Sequence, residues 1–363
     1  LRTALVQQLT DAGEPIDEGL PRLWIDRAFT ISGAGLVVTG TLSGGCLAEG
    51  DEVMLWPEAA RARIRGMQRH DAPVSSLAPG TRAALNITGV DHTGRGAMLG
   101  KPDSFGTTTR FLGTLRTVRT LDGELSSRGA FHLHVGSGSW PVRLRIIETP
   151  ESSPACLVRS DSPVPLRSGD RFIVRETGRR AVVGGGIVLD PHPPESGERL
   201  RVAVPLLVEA VANGPDETAQ VLLTIRGTAR IDDLVRDTGG GSPKSEFRAK
   251  DLVMAESAAA GLRHAIQEAA EAFHNDNRLR PGVPKASLGS SLGVDMDTIT
   301  VVVAGTPDLV DDGATVRVRG FEPGLSAAEQ ASWDDAERAL GASLAVPRAS
   351  HLGLGTELVH ALV

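Results

Sequence analysis

Arginine and aspartate side chains recur in the first hundred residues at spacings that suit the binding of an anion. In a strand, alternate residues share one face, so Arg61, Arg63 and Arg65 are predicted to point to the same side, with Arg69 shortly after them. Further candidates on neighbouring apolar runs are Asp26, Arg27, Arg82 and Asn86. The planar guanidinium fork fits phosphate and carboxylate groups. A solvated strand face is the alternative interpretation of the same pattern.

The sequence contains no complete set of nucleotide-binding motifs and no catalytic motif in the structural context that it requires. There is no G-x-x-x-x-G-K-[ST] segment and no N-K-x-D segment. Matches to D-x-x-G fix only two residues and arise by chance in a chain with 42 glycines. Residues 289–293 read G-x-S-x-G, but a nucleophile elbow needs a strand before its serine, and this segment ends a predicted helix. We therefore predict that this chain is not an enzyme and does not bind GTP by itself.

Cysteine and histidine are too sparse to indicate a metal site. Cys46 and Cys156 form no CxxC pair, so no disulfide framework is expected. A reduced, cytoplasmic location is expected instead. His132 and His134 share one predicted strand face and offer two possible metal ligands. No third ligand is apparent in the sequence, so we predict that the chain binds no metal ion.

Charge is divided unevenly along the chain. Residues 1–198 carry 22 Lys and Arg against 22 Asp and Glu, whereas residues 199–363 carry 16 against 23. A nucleic-acid-binding surface is usually basic, so any RNA contact is expected in local arginine clusters of the first half. No apolar run reaches the 18 residues of a membrane span, and no membrane partner is predicted.

Hydrophobic periodicity predicts mainly β structure followed by α+β structure. A helix over residues 1–10 is followed by many short apolar runs between Gly, Pro and Asp turns, a pattern typical of a closed barrel or a sandwich. A Pro-rich segment, Pro191–Gly197, reads as a linker. Beyond it, helices over 258–275, 284–292 and 295–305 and a hairpin over 311–319 follow the winged-helix order.

These patterns predict six consecutive segments. In chain order they are a terminal helix of an otherwise absent domain, two β-barrels, a degenerate winged helix, a second winged helix and the start of a third: 1–21, 22–104, 105–192, 193–257, 258–322 and 323–363.

The literal residues of several segments resemble the selenocysteine-specific translation elongation factors. The resemblance begins at Ile25–Thr30 and Val37–Thr41 and continues through Ile64–Gln68 and Pro79–Ile87. A later block, Gly169–Arg175 leading to three glycines, resembles the third domain of translation factors related to elongation factor Tu. The chain would then be a fragment without the GTPase domain and the terminal winged-helix modules.

The resemblance implies a pocket for the selenocysteinyl group in the first barrel. The family's charged pocket residues match Asp26, Arg27 and Arg82, and Asn86 is expected at the aminoacyl ester. A selenol titrates below a thiol and should be an anion at neutral pH. A pocket with two arginines would therefore favour selenocysteine over serine and cysteine.

The resemblance also implies the partners and the cofactor. The expected partners are selenocysteinyl-tRNA, the ribosome and, through modules absent here, an mRNA recoding hairpin. GTP and Mg²⁺ would belong to the missing GTPase domain, and no cofactor is expected in this chain. The residues expected to contact tRNA are Arg65, Arg171, Arg175, Arg179 and Arg180.

Two alternatives remain at this point. One is a fragment of a related translational GTPase with other aminoacyl-tRNA cargo. The other is a winged-helix DNA-binding regulator, which would read the major groove through a recognition helix. Residues 295–305 contain two aspartates and no lysine or arginine, which argues against the regulator.

Overall fold

The computed structural model of the protein describes residues 1–11, 13–33, 35–119, 125, 129–147, 154–195, 197–341 and 355. It divides into two compact units. Unit 1 comprises Leu1–Arg226 and Ile231–Pro243, and unit 2 comprises Gly227–Arg230 and Lys244–Val363. None of the helices within the described ranges is long and apolar enough to cross a membrane.

Unit 1 opens with helix α1 (Arg2–Asp11) and a closed six-stranded barrel, barrel 1. The strands are β1 (Arg22–Ile31), β2 (Gly35–Ser43), β3 (Leu47–Ala48), β4 (Glu52–Trp56), β5 (Ala60–Arg69), β6 (Ala72–Val74), β7 (Ser76–Leu77), β8 (Arg82–Thr88) and β9 (Met98–Gly100). Six of them close in the order β4-β9-β1-β2-β8-β5. Val38 and Leu85 are fully buried in the core, whereas the alternate residues face outward.

Barrel 2 follows with the same number of strands in its ring. The strands are β10 (Thr107–Thr114), β11 (Arg116–Thr117), β12 (Phe131–Val135), β13 (Gly138–Ile147), β14 (Ala155–Pro165), β15 (Arg171–Glu176) and β16 (Ala181–Asp190). The ring order is β10-β14-β13-β12-β15-β16, with β16 returning to β10. Phe111 and Phe172 meet edge to face in the core, 5.4 Å between ring centroids. The predicted fold class, two barrels followed by α+β structure, is confirmed.

A buried ion pair connects the two barrels. Arg22, in β1, donates from both terminal nitrogens to the Asp170 carboxylate, at 2.5 and 2.9 Å. Its Nε atom lies 2.9 Å from the sulfur of Met98, and its guanidinium lies over the rings of Trp24 and Phe105. The side chains are only 6% and 12% exposed, so each charge depends on the other for compensation.

Three helices complete unit 1 after barrel 2. They are α2 (Gly197–Asn213), α3 (Pro215–Arg226) and, after the short strand β17 (Thr228–Arg230), α4 (Ile231–Thr238). A second buried charge cluster ties them to the barrel. Arg226, at the end of α3, lies 2.8 Å from Asp190 of β16 and 2.7 Å from Asp237 of α4. His192 lies 3.4 Å from Asp237.

The Pro-rich segment after β16, which was predicted to be a linker, is held by hydrogen bonds to barrel 2. Arg110, in β10, donates to the carbonyl oxygens of Pro193 and Pro194, both at 2.7 Å. Together with the Arg226 cluster, these bonds hold the segment on barrel 2. The division between the two compact units lies at residues 227–230 and 243–244.

Unit 2 contains helices and two small sheets. Its elements beyond β17 are β18 (Arg248–Ala249), β19 (Leu252–Met254), α5 (Glu256–Asp276), β20 (Val283–Pro284), α6 (Lys285–Leu292), α7 (Met296–Ala304), β21 (Leu309–Asp311), β22 (Thr315–Val318) and α8 (Ala327–Gly341). The three helices and the hairpin predicted between residues 258 and 319 are confirmed. Gly293 ends α6 in the left-handed conformation, φ 69°, so the G-x-S-x-G match is a helix end and not a nucleophile elbow.

The segment predicted to be a second winged helix has a packed hydrophobic interior. Ile266 and Ala270 of α5 and Ile299 of α7 are fully buried. His274, also buried, accepts a hydrogen bond at Nε2 from the backbone N–H of Val318. Of the predicted third winged helix, α8 is present, and residues 342–354 and 356–363 lie outside the described part of the chain.

Candidate functional site

The candidate site lies on the outer face of barrel 1, where β1, β2 and β8 run side by side. Arg27 is paired with Thr39 across β1 and β2, and Thr41 is paired with Arg82 across β2 and β8. The pairing of β1 shifts between Ile25 and Arg27, which is a β-bulge at Asp26. A bulge places two residues of one strand opposite one of its neighbour and redirects a side chain.

The bulge brings the Asp26 carboxylate to the guanidinium of Arg82. The two nitrogen–oxygen distances are 2.5 and 3.2 Å, a two-pronged contact. Thr39 donates from its hydroxyl to the same carboxylate at 2.7 Å. Two groups therefore fix Asp26, and through it the direction of Arg82, whose side chain remains 55% exposed.

This contact shifts the pKa values of both Asp26 and Arg82. The Arg82 hydrogen bond holds the pKa of Asp26 below its usual value, against the effect of partial burial, and Thr39 and Arg27 act in the same direction. Asp26 in turn raises the pKa of Arg82. Both groups are charged at neutral pH, and with Arg27 the cluster has one more positive than negative charge.

A cavity of about 770 Å³ opens beside this ion pair, within the size range of small-molecule sites. Its polar lining includes Arg27, Arg82 and Asn86, with Glu49 and Asp71 also present. Its apolar lining comes from strands β1, β2, β5 and β6: Phe29, Ile31, Val37, Met67, Pro73 and Val74. Phe29 and Ile31 are each 46% exposed, so an apolar surface stands next to a cationic one.

The structure brings together all four residues predicted for this pocket. Asp26 and Arg82 are in contact, and Arg27, Arg82 and Asn86 line one cavity. The sequence reasoning did not single out Thr39 or the apolar wall. Thr39 lies within the segment that carried the family resemblance, but its bond to Asp26 depends on the bulge.

The arginines predicted to contact tRNA occupy two separate places. Arg65 is exposed on β5 of barrel 1, on the same face as Arg61 and Arg63, as predicted. Arg171 and Arg175 are exposed on one face of β15 in barrel 2. In the following turn Arg179 pairs with Glu176 at 3.2 Å, and the Arg180 carbonyl accepts a hydrogen bond from Arg175.

His132 and His134 face outward beside these arginines, opposite to their apolar neighbours, as predicted. Their ring centroids lie 6.5 Å apart. Partial burial, with the nearby positive charge of Arg175, lowers the pKa of His134. Within the residues that the structure describes, no group of three or more His, Cys, Asp or Glu side chains is placed to hold a metal.

Comparison with known proteins agrees with this architecture. Residues 114–195 match the family model described as the β-barrel domain of selenocysteine-specific elongation factor. A selenocysteine-specific elongation factor of Desulfomicrobium baculatum is 27% identical over 294 residues, which is 75% of this chain and 46% of that protein. The Escherichia coli K12 factor of the same name is 26% identical over 340 residues, 88% of this chain and 53% of that protein.

The crystal structure of bacterial selenocysteine-specific elongation factor EF-Sec has the same fold. It superposes with a TM-score of 0.69 over 98% of this chain and 59% of the other, at 20% identity. In fold and in sequence, the chain is thus similar to the class of translation elongation factors. Within that class, it is a relative of the selenocysteine-specific factors. The chain spans about half the length of these relatives.

Proposed function

We propose that this chain forms the aminoacyl-tRNA-binding part of a factor that delivers selenocysteinyl-tRNA to the ribosome at recoded UGA codons. The observation that carries the proposal is the Asp26–Arg82 contact, with Arg27 on the same cavity. In this proposal GTP hydrolysis and the Mg²⁺ that it requires belong to a GTPase domain of the whole factor, and the mRNA hairpin is bound by further modules.

The charges of the cavity match those of the proposed ligand. A selenocysteinyl ester carries a selenolate, and its α-amino group is partly protonated near neutral pH. The arginine side of the cavity suits the selenolate. The acidic side, with Glu49 and Asp71, suits the ammonium group. Seryl and cysteinyl esters lack the anion, so they would lose the charge-assisted hydrogen bonds from arginine.

In this proposal barrel 2 contacts the tRNA body through Arg171, Arg175, Arg179 and Arg180. Exposed arginines on a strand face and its turn suit phosphates, and such contacts make binding dependent on salt concentration. Arg65 on barrel 1 is proposed as a further tRNA contact. Related factors with other aminoacyl-tRNA cargo remain the second candidate, since an elongation factor 1-alpha of Pyrobaculum aerophilum is 28% identical over 171 residues.

Arg82→Ala is expected to weaken the binding of selenocysteinyl-tRNA by about 10- to 100-fold and that of seryl-tRNA by less than about threefold. The reason is that Arg82 contacts only the charged side chain in this proposal. Binding of both tRNAs to the 363-residue chain, measured by filter retention, tests it. Arg61→Ala is the matched control, because Arg61 lies on β5 outside the cavity and pairs with Asp103 at 3.3 Å. Equal losses of affinity for both tRNAs would contradict the proposal that Arg82 selects the selenocysteinyl group.

We also propose that this chain has no GTPase activity of its own. The 363 residues contain neither of the two guanine-nucleotide motifs named above. Calorimetric titration of the chain with GTP and Mg²⁺ is therefore expected to give no binding heat at micromolar concentrations. A saturable signal in that range would contradict the proposal, and a fluorescent GTP analogue would then locate the site.

A further inference from the structure

Barrel 2 carries a second basic surface, on strands other than those assigned to tRNA. In the antiparallel register Arg110 of β10 lies opposite Arg159 of β14, and Arg159 lies opposite Arg143 of β13. Arg145 is two residues further along the same face of β13. We call Arg143, Arg145 and Arg159 the arginine row. Arg110 flanks the row, but its side chain is only 15% exposed and is bonded to the Pro193 and Pro194 carbonyls.

Like charges placed directly opposite one another destabilise a sheet, so the row is unfavourable unless an anion compensates it. The carboxylates of the chain compensate this positive charge only in part. Glu195 lies 3.0 Å from Arg110 and 3.8 Å from Arg159, and its own side chain is 82% exposed. Asp161 reaches Arg143 only at 4.0 Å, with both side chains more than 80% exposed.

The row lies on the opposite side of the barrel from the predicted tRNA face. The closed ring runs β10-β14-β13-β12-β15-β16. Strand β14 is therefore three positions away from β15 in either direction. A single RNA helix lying against Arg171 and Arg175 of β15 would leave the arginine row uncovered.

We propose that the arginine row binds the sugar–phosphate backbone of a double-stranded RNA segment, distinct from the tRNA, and that Glu195 occupies the site when RNA is absent. Neighbouring strands are about 4.8 Å apart and alternate residues about 6.7 Å apart. The three arginines of the row therefore form a patch of about 5 by 7 Å. The choice of RNA rests on the proposed function, because a factor that acts on the ribosome meets RNA duplexes.

The side chains around the arginine row are better suited to duplex RNA than to single-stranded RNA. Single strands are usually held by stacking of their bases on aromatic rings. The outward residues next to the row on β13 and β14 are Ser139, Pro141, Asp161 and Pro163. None of them is aromatic. Contacts to phosphates alone are the mode by which proteins bind a double helix without reading its sequence.

The test uses the 363-residue chain and a fluorescein-labelled RNA hairpin with a fully paired stem and no tRNA-like end. The variant Arg143→Gln/Arg159→Gln is expected to bind the hairpin about tenfold more weakly, and its salt dependence should fall by about two in slope. Glu195→Gln should bind about threefold more tightly, since it removes the competing carboxylate. The matched control is Arg61→Gln/Arg63→Gln on β5 of barrel 1, an arginine pair of similar exposure that pairs with Asp103 and Glu52 and should leave hairpin binding unchanged.

Several results would overturn the proposal. Equal weakening by the two arginine pairs would indicate diffuse attraction rather than a site. An unchanged affinity in the Arg143→Gln/Arg159→Gln variant would exclude the row. Equally tight binding of a single strand, or of poly-glutamate, would assign it to another partner. Arg82→Ala reports on the aminoacyl pocket alone, so failure of the proposed function is distinguishable from failure here.

Discussion

Asp170→Ala is expected to lower the free energy of unfolding of unit 1 by about 3–5 kcal/mol. The substitution leaves Arg22 buried between the barrels with no carboxylate, and its remaining partners are the sulfur of Met98 and the Pro165 carbonyl. A buried cation without a counter-charge keeps its desolvation cost and loses the attraction that offset it. Denaturant unfolding followed by tryptophan fluorescence measures the effect, since Trp24, Trp56 and Trp140 all belong to unit 1.

Two further variants separate this explanation from a general loss of packing. Glu52→Ala removes the partner of Arg63 in an ion pair whose side chains are 62% and 61% exposed, and it should cost less than about 1 kcal/mol. Arg22→Met combined with Asp170→Leu replaces the buried pair by apolar side chains and should recover most of the loss. If the double variant is as unstable as Asp170→Ala, the charge argument fails.

The barrels could be predicted from the sequence because their strands carry a local signal. Alternation of apolar and polar residues between Gly and Pro turns is visible within any ten residues, and Val38 and Leu85 lie in the core as that alternation requires. The ion pair between the barrels carries no such signal. Arg22 and Asp170 are 148 residues apart, and only the docking of two finished barrels brings them together.

The candidate pocket was predictable in part for the same reason. Asp26 and Arg82 were found through resemblance, since spacing alone does not select them from 45 acidic and 38 basic residues. Thr39 was missed because its contact depends on a one-residue bulge. The bulge changes which side chains of β1 face outward, and it has no clear sequence signature. The arginine row was missed because it depends on the register between β13 and β14.

The Pro-rich segment shows a contact that composition cannot predict. Proline excludes regular hydrogen bonding along its own chain, which is why residues 191–197 were predicted to be a linker. Their carbonyl groups remain available as acceptors, and Arg110 uses two of them. A segment without secondary structure is thus fixed by a side chain from a neighbouring strand.

The second large effect is expected at the charge cluster that follows this segment. Arg226→Met should destabilise unit 1 by about 3–5 kcal/mol at neutral pH. It leaves Asp190 and Asp237, whose side chains are 0% and 4% exposed, with His192 as the remaining nearby basic group. Burial already raises the pKa of Asp237, although Arg226 and His192 attract its charged form. Without Arg226, that pKa should rise further.

The pH dependence then distinguishes the cluster from ordinary packing. A carboxyl group whose pKa is higher in the folded protein binds more protons there than in the unfolded chain, so acid stabilises the fold across that window. The destabilisation by Arg226→Met should therefore shrink as the pH falls from 7 towards about 4.5. Arg236→Met is the matched control, because Arg236 pairs with Asp233 on the partly exposed side of α4 and should cost less than about 1 kcal/mol at any pH. A loss in Arg226→Met that does not vary with pH would mean that the two aspartates are not the source of the cost.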